Sequence, residues 1–331
     1  MIPPRDLFTF RRRFVKMGGM KHHPLFYPTV LALTAAIISG ANNFLTKIAV
    51  TAVKDPIVFT TLKNAVVALF LVGIILALKK WREIKTLSKN QTLKLLVIGI
   101  IGGSLPFALF FTGLTQTSAI NASLIHKTLF VWVLLLGIPF LKERLTKLQW
   151  LGIAAIFGAN LMIGGFKGFK YNAGELMIIG ATVLWAVENI IAKITLRDLS
   201  SSLVVGARMI IGSLVLLVFV AWRGGASAVY ALNFQQWGWT ILTSALLLGY
   251  VLTWYTALKH APATYVATLL VPATLITNVL SAVFVTHAFS GSQVVSSLLF
   301  AGGAALMVIF AKKLSRDLAI GAERQNFVNT S

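Results

Sequence analysis

The sequence predicts an all-α integral membrane fold in which ten transmembrane helices form two inverted five-helix repeats. Three observations carry the prediction. Hydrophobic residues make up 57% of the 331 positions and charged residues only 12%, against roughly 25% charged in soluble domains. Ten apolar runs approach the length of about 20 residues that a helix needs to cross a bilayer. One polar signature is also written twice: Asn43 and Lys47 lie in NNFLTK, Asn189 and Lys193 in ENIIAK. Each pair is four residues apart and shares one helix face.

The runs fall near 27–50, 57–78, 93–114, 121–141, 148–165, 174–196, 203–222, 237–258, 264–286 and 293–312. Helix is the expected form because an open strand leaves its backbone unpaired in lipid. The first run holds Asn43 and Lys47, and the second holds Lys63. Gly102, Gly103 and Pro106 interrupt the third, which ends in TGLTQTSA. The fourth carries His126 and Lys127 about two turns inside its end, with Pro139 near the other end. Gly152 and Gly158 mark the fifth for close helix packing. The sixth carries Glu188 beside Asn189 and Lys193, and the seventh carries Arg208. Tyr250 and Trp254 share a face of the eighth, which ends in TALKHAPA. Pro272 breaks the ninth, where Asn278 needs a partner in a neighbouring helix. Gly302 and Gly303 give the tenth a small-residue face.

A shift of 144 sets TGLTQTSA on TALKHAPA, Gln149 on Gln293 and Gly158 on Gly302. Lys63 meets Arg208 at 145, and Lys47 meets Lys193 at 146. Five crossings per copy place the second copy upside down, about an axis in the membrane plane. The units expected are a basic tail (1–26), a first repeat (27–168), a second repeat (172–313) and a C-terminal tail (314–331).

The net charge of +21 would suggest nucleic acid in a soluble protein. Here 21 of the 30 basic residues fall in the tails and loops of one side and only four (Lys54, Lys167, Lys170, Arg223) in loops of the other. That bias places both termini in the cytoplasm and the chain, multi-pass, in the cytoplasmic membrane. The first 26 residues show no cleavable signal peptide. With no cysteine, disulfides and thiolate sites are excluded.

These residues resemble the EamA family of the drug/metabolite transporter superfamily over roughly 27–313. The likeness rests on the paired N-x-x-x-K helices, on Lys63 and Arg208, on the two matching helix ends, and on LKERLTKLQWLGIAAIFGANLMIGG at 141–165. In the second half His287 stands where Glu143 does in the first, and Thr128 answers Pro272. The resemblance implies export of amino acids, their analogues and other metabolites, in some members with proton exchange. It also places the fifth and tenth helices outside the central crevice.

Charge within the apolar runs marks the candidate binding residues, because it is costly there and faces protein or water. His126, Lys127 and Glu188 lead. Asn43, Asn189, Tyr250, Trp254 and Asn278 complete the expected substrate-binding set. Lys47, Lys63, Lys193 and Arg208 are expected to be structural or gating, the first two by reaching the interface with their ammonium groups; the alternative is that Lys47, Lys63 and Lys127 converge on a positive pocket for a carboxylate or phosphate. Pro106 and Pro272 are expected as kinks or hinges, since proline removes a helical hydrogen bond. Glu188 suits a proton carrier, an ion-pair partner or a ligand for a substrate amino group equally well.

The expected activity is therefore secondary transport of small polar metabolites by alternating access, with proton coupling as an option. A passive channel on the same fold is the alternative. No GxxxxGK[ST] loop is present for ATP, and no H-E-x-x-H or G-x-S-x-G for an integral-membrane enzyme. No catalytic residue, metal site or cofactor is expected. The expected partners are a small-molecule substrate and the bilayer, with a homodimer as an option and no nucleic acid.

Overall fold

The computed structural model describes residues 25–53, 55–163, 172–288 and 291–328. Nearly all of the expected basic tail, Lys54, and the loop containing Lys167 and Lys170 lie outside them. The described chain is helical, with no strand among the described residues. Its spans are α1 (Phe26–Val53), α2 (Pro56–Ala77), α3 (Lys89–Leu114), α4 (Asn121–Leu141), α5 (Lys147–Ile163), α6 (Ala173–Thr195), α7 (Ser201–Trp222), α8 (Phe234–His260), α9 (Ala263–Val285) and α10 (Gly291–Phe310). Nine of these are long and apolar enough to cross a membrane. The remaining one, α5, is 17 residues long among those described. Connections alternate between two ends of the bundle, here called the base, where α1 begins, and the top.

The two copies start and stop their helices alike. Ser88 and Gln91 form a capping box at the start of α3, and Asn233 and Gln236 form the same box at the start of α8. Each box satisfies two backbone donors that a helix start leaves free. The chain then leaves α2 through left-handed Lys79 (φ 53°) and α7 through left-handed Gly224 (φ 75°). It leaves α4 through Lys142 (φ 56°) and α9 through His287 (φ 51°). Such a residue turns the chain out of a helix.

Packing also obeys the duplication. Helix α1 lies against α8 and α9, as α6 lies against α3 and α4. Helix α2 packs on α7 and α8, and α7 on α2 and α3. The central α4 and α9 meet each other, and so do α5 and α10. Exchanging the halves leaves this pattern unchanged, and the main contacts run between halves rather than within them. Glycine crossings between helices allow close approaches. A Cβ at Gly103 of α3 would stand 2.1 Å from the Arg208 carbonyl oxygen and 2.9 Å from Gly212 Cα on α7. One at Gly152 of α5 would meet the Gly303 carbonyl of α10 at 2.8 Å. Without lipid-phase hydrophobic driving force between helices, such small-residue contact is how spans associate.

Three spans are interrupted. Helix α3 stops at Gly103 and resumes at Leu105, while α4 is divided at Thr128. In α9, Val271 and Pro272 separate two pieces, and Ala282–Thr286 forms a π-helical turn.

Candidate functional site

The interruption in α3 creates the site. In an unbroken helix the Gly102 carbonyl would accept from the residue four positions on, but that residue is Pro106, which has no N–H. The freed oxygen accepts instead from Trp185 Nε1 on α6 at 3.1 Å and from Arg208 Nη2 on α7 at 3.3 Å. Arg208 Nη1 donates to the Tyr255 hydroxyl of α8 at 3.1 Å, and that hydroxyl donates to Glu188 Oε1. One phenol thus links a carboxylate and a guanidinium between α6, α7 and α8. A Cβ at 102 would lie 2.4 Å from Glu188 Cγ, so any larger residue there would push the Glu188 side chain aside.

Glu188 is fully buried, and among the described residues its Oε2 has no hydrogen-bond partner; neither do Arg208 Nε, Asn189 Oδ1 and His126 Nδ1. Buried polar atoms are rarely left so. The His126 ring stands 4.8 Å from the Trp185 ring and 5.4 Å from Phe110, and Phe107 lies 5.1 Å from Trp185. Beside this aromatic wall, half-buried Lys127 makes no hydrogen bond or ion pair with the described residues. The arrangement offers a carboxyl oxygen, guanidinium and imidazole nitrogens and flat apolar faces joined through Trp185.

The same construction recurs in the first half with different chemistry. Lys63, the counterpart of Arg208, donates to Asn42 Oδ1 at 3.1 Å and to Thr46 Oγ1 at 2.9 Å. Asn42 is the counterpart of Glu188. Lys63 is 7% exposed, so it is held inside the bundle rather than reaching an interface. The neighbours Asn43 and Lys47 are exposed.

Polar ties close both ends. At the top, Asn121 Nδ2 donates to buried Glu175 at 2.6 Å, joining α4 to α6. At the base, Thr29 and Tyr265 share a hydrogen bond of 2.8 Å between their counterparts, α1 and α9. Lys193 donates to the carbonyls of Leu258 (2.6 Å) and Ala261 (2.7 Å), and so caps the end of α8. Glu143 accepts from the backbone of Ala263 (2.6 Å) and Thr264 (2.9 Å), capping the start of α9. The turn between α8 and α9 is clamped from both sides. Arg223 pairs with Asp55 at the top. At the base Glu83 accepts from Lys80 at 2.8 Å and from Ser200 N at 3.1 Å.

The structure therefore joins Glu188 and Arg208 and, through Trp185, His126, with Pro106 leaving the Gly102 carbonyl free; Asn189 Nδ2 instead donates back to the Trp185 carbonyl of its own helix at 2.8 Å. Half-buried Tyr250 lies with its ring centroid 6.2 Å from that of buried Trp254. Asn278 is half-buried with Nδ2 unpartnered. Pro272 sits in the turn that divides α9. Sequence reasoning passed over Thr46, Thr29 and Glu175. Thr46 was findable as the residue one turn beyond Asn42. Glu175 was hidden by its place near a helix start, where a carboxylate is ordinarily solvated.

The family model described as the EamA-like transporter family matches residues 27–165 and again 172–309. A protein of Methanothermobacter thermautotrophicus, described as an uncharacterized transporter, is 24% identical over 66% of this chain and 64% of its own length. The Bacillus subtilis protein described as uncharacterized transporter YyaM is 28% identical over 46% of this chain and 52% of its own. The chain thus spans less than two thirds of either relative's length. A crystal structure shares the fold with a TM-score of 0.70 at 17% identity, covering 87% of this chain and 98% of that one.

Proposed function

Because the chain belongs to the EamA-like transporter family, we propose that it is a secondary transporter exporting small polar metabolites, amino acids or related compounds, by alternating access. The observation that carries this reading is the Glu188–Tyr255–Arg208 cluster with its unpartnered Oε2 and Nε atoms beside His126. Intramembrane charges of this kind mark solute or proton pathways. Glu188 Oε2 suits a substrate ammonium or a proton, while Arg208 Nε and Lys127 suit a carboxylate. His126 and Trp185 supply the face against which the solute stacks. The membrane is the cytoplasmic one, with the base inside. Swapping the shapes of two inverted halves would open the base and the top in turn.

Metabolite profiling of medium from overexpressing cells tests it. The wild-type chain should enrich a small set of polar solutes, and Glu188→Gln and Lys127→Ala should abolish the enrichment while still inserting in the membrane. Wild-type release by both variants would overturn the site assignment. In vesicles, flux should saturate and respond to a pH gradient; linear, gradient-indifferent flux would point to a channel.

A further inference from the structure

The two halves answer each other residue by residue at the polar cluster, and the difference between them identifies a second site. In the second half Arg208 has a carboxylate, Glu188, joined to it through the Tyr255 hydroxyl. The counterparts in the first half are Lys63, Asn42 and Phe111. The cation remains, but the acid has become an amide and the phenol has lost its hydroxyl. Lys63 is nevertheless as buried as a core residue, at 7% exposure. Among the described residues its side-chain nitrogen meets only neutral oxygens, Asn42 Oδ1 at 3.1 Å and Thr46 Oγ1 at 2.9 Å, with the Phe59 ring 5.8 Å away. Among the described residues the ion pairs are Lys80–Glu83 and Arg223–Asp55, and neither involves Lys63. An ammonium has three donors, and two are spoken for. Buried charges are ordinarily paired, yet among the described residues no carboxylate stands beside this amine.

We propose that Lys63, oriented by Asn42 and Thr46, is a binding subsite for an oxyanion of the transported solute, a carboxylate or a phosphate. The solute supplies the negative charge that Glu188 supplies in the other half. Lysine acts as a point charge that accepts either oxyanion. This rests on the transport reading and deepens it, because it fixes the charge class of the solute. The subsite lies about two helical turns from the top, whereas the Arg208 cluster lies about two turns from the base. One solute would therefore meet the two in succession.

The test compares medium from cells expressing the wild-type chain, Lys63→Arg, Lys63→Gln and Asn42→Asp. Each enriched solute is scored as carboxylate, phosphate, amine or neutral. Wild type and Lys63→Arg should enrich oxyanion-bearing solutes, and which of the two oxyanions appears identifies the source. Lys63→Gln, which can still bond Asn42 and Thr46, should lose enrichment by tenfold or more. Asn42→Asp is the discriminating variant. It gives Lys63 a built-in partner, so release should fall at least tenfold with thermal stability in detergent unchanged or raised. A purely structural lysine would be served as well or better by the carboxylate of the Asn42→Asp variant and leave release intact; that result overturns the subsite. So does wild-type enrichment of amines or neutral solutes only, which would leave the transport reading standing. Absence of any enrichment by the wild-type chain would sink both.

Discussion

Tyr255 shows how much one atom can organise. Its oxygen donates to Glu188 and accepts from Arg208, so Tyr255→Phe leaves both without that partner. Breaking such a buried link costs on the order of 1–3 kcal/mol, read as a lower melting temperature of the purified chain in detergent. Glu83, outside the spans, gives a pH-dependent counterpart. Burial pushes its carboxyl up, but hydrogen bonds from Lys80 and Ser200 outweigh that and hold it below 4.5. A depressed carboxylate contributes stability above its unfolded value and loses it as pH falls through the folded one. Glu83→Gln should therefore melt lower than wild type at pH 7, and the difference should vanish as pH falls through the depressed carboxyl value. Residue identity at this scale was partly legible. The cost of charge in lipid singled out Glu188 and Lys127 without any coordinates. Choosing between Asn42 and Asn43 required knowing which way the helix faced, and two adjacent asparagines carry no such phase.

Among elements, the turn between α8 and α9 is the most heavily tied. Lys193 holds the carbonyls that end one helix and Glu143 the amides that start the next. Both residues come from other helices, α6 and the end of α4, so the clamp joins four spans at the base. Lys193→Met leaves the α8 carbonyls without their cap. A cysteine introduced at Ala261 in the otherwise cysteine-free chain should then react faster with a membrane-impermeant thiol reagent applied at the base. Unchanged reactivity would show that Lys193 does not hold the turn. Helix number and order were readable from hydropathy, because lipid demands long apolar runs. The cap role of Glu143 was not, since a single acidic residue in a basic loop looks like ordinary solvated charge until the partner helix is placed.

For the molecule as a whole, the duplicated offsets near 144–146 announced the inverted repeat, because helix spacing survives even where side chains have diverged. The charge bias predicts sidedness. With Lys85→Cys and Ser315→Cys, both positions should label from the cytoplasmic face; labelling from opposite faces would contradict two five-span copies. The pairing of helices carries a separate consequence. Since α1, α2, α4 and α5 find their principal neighbours in α8, α7, α6 and α10, neither half has an interior of its own. A gene cut between the codons for residues 163 and 172 should yield two polypeptides that are degraded when made singly, yet are recovered together as a stable complex when made in the same cell.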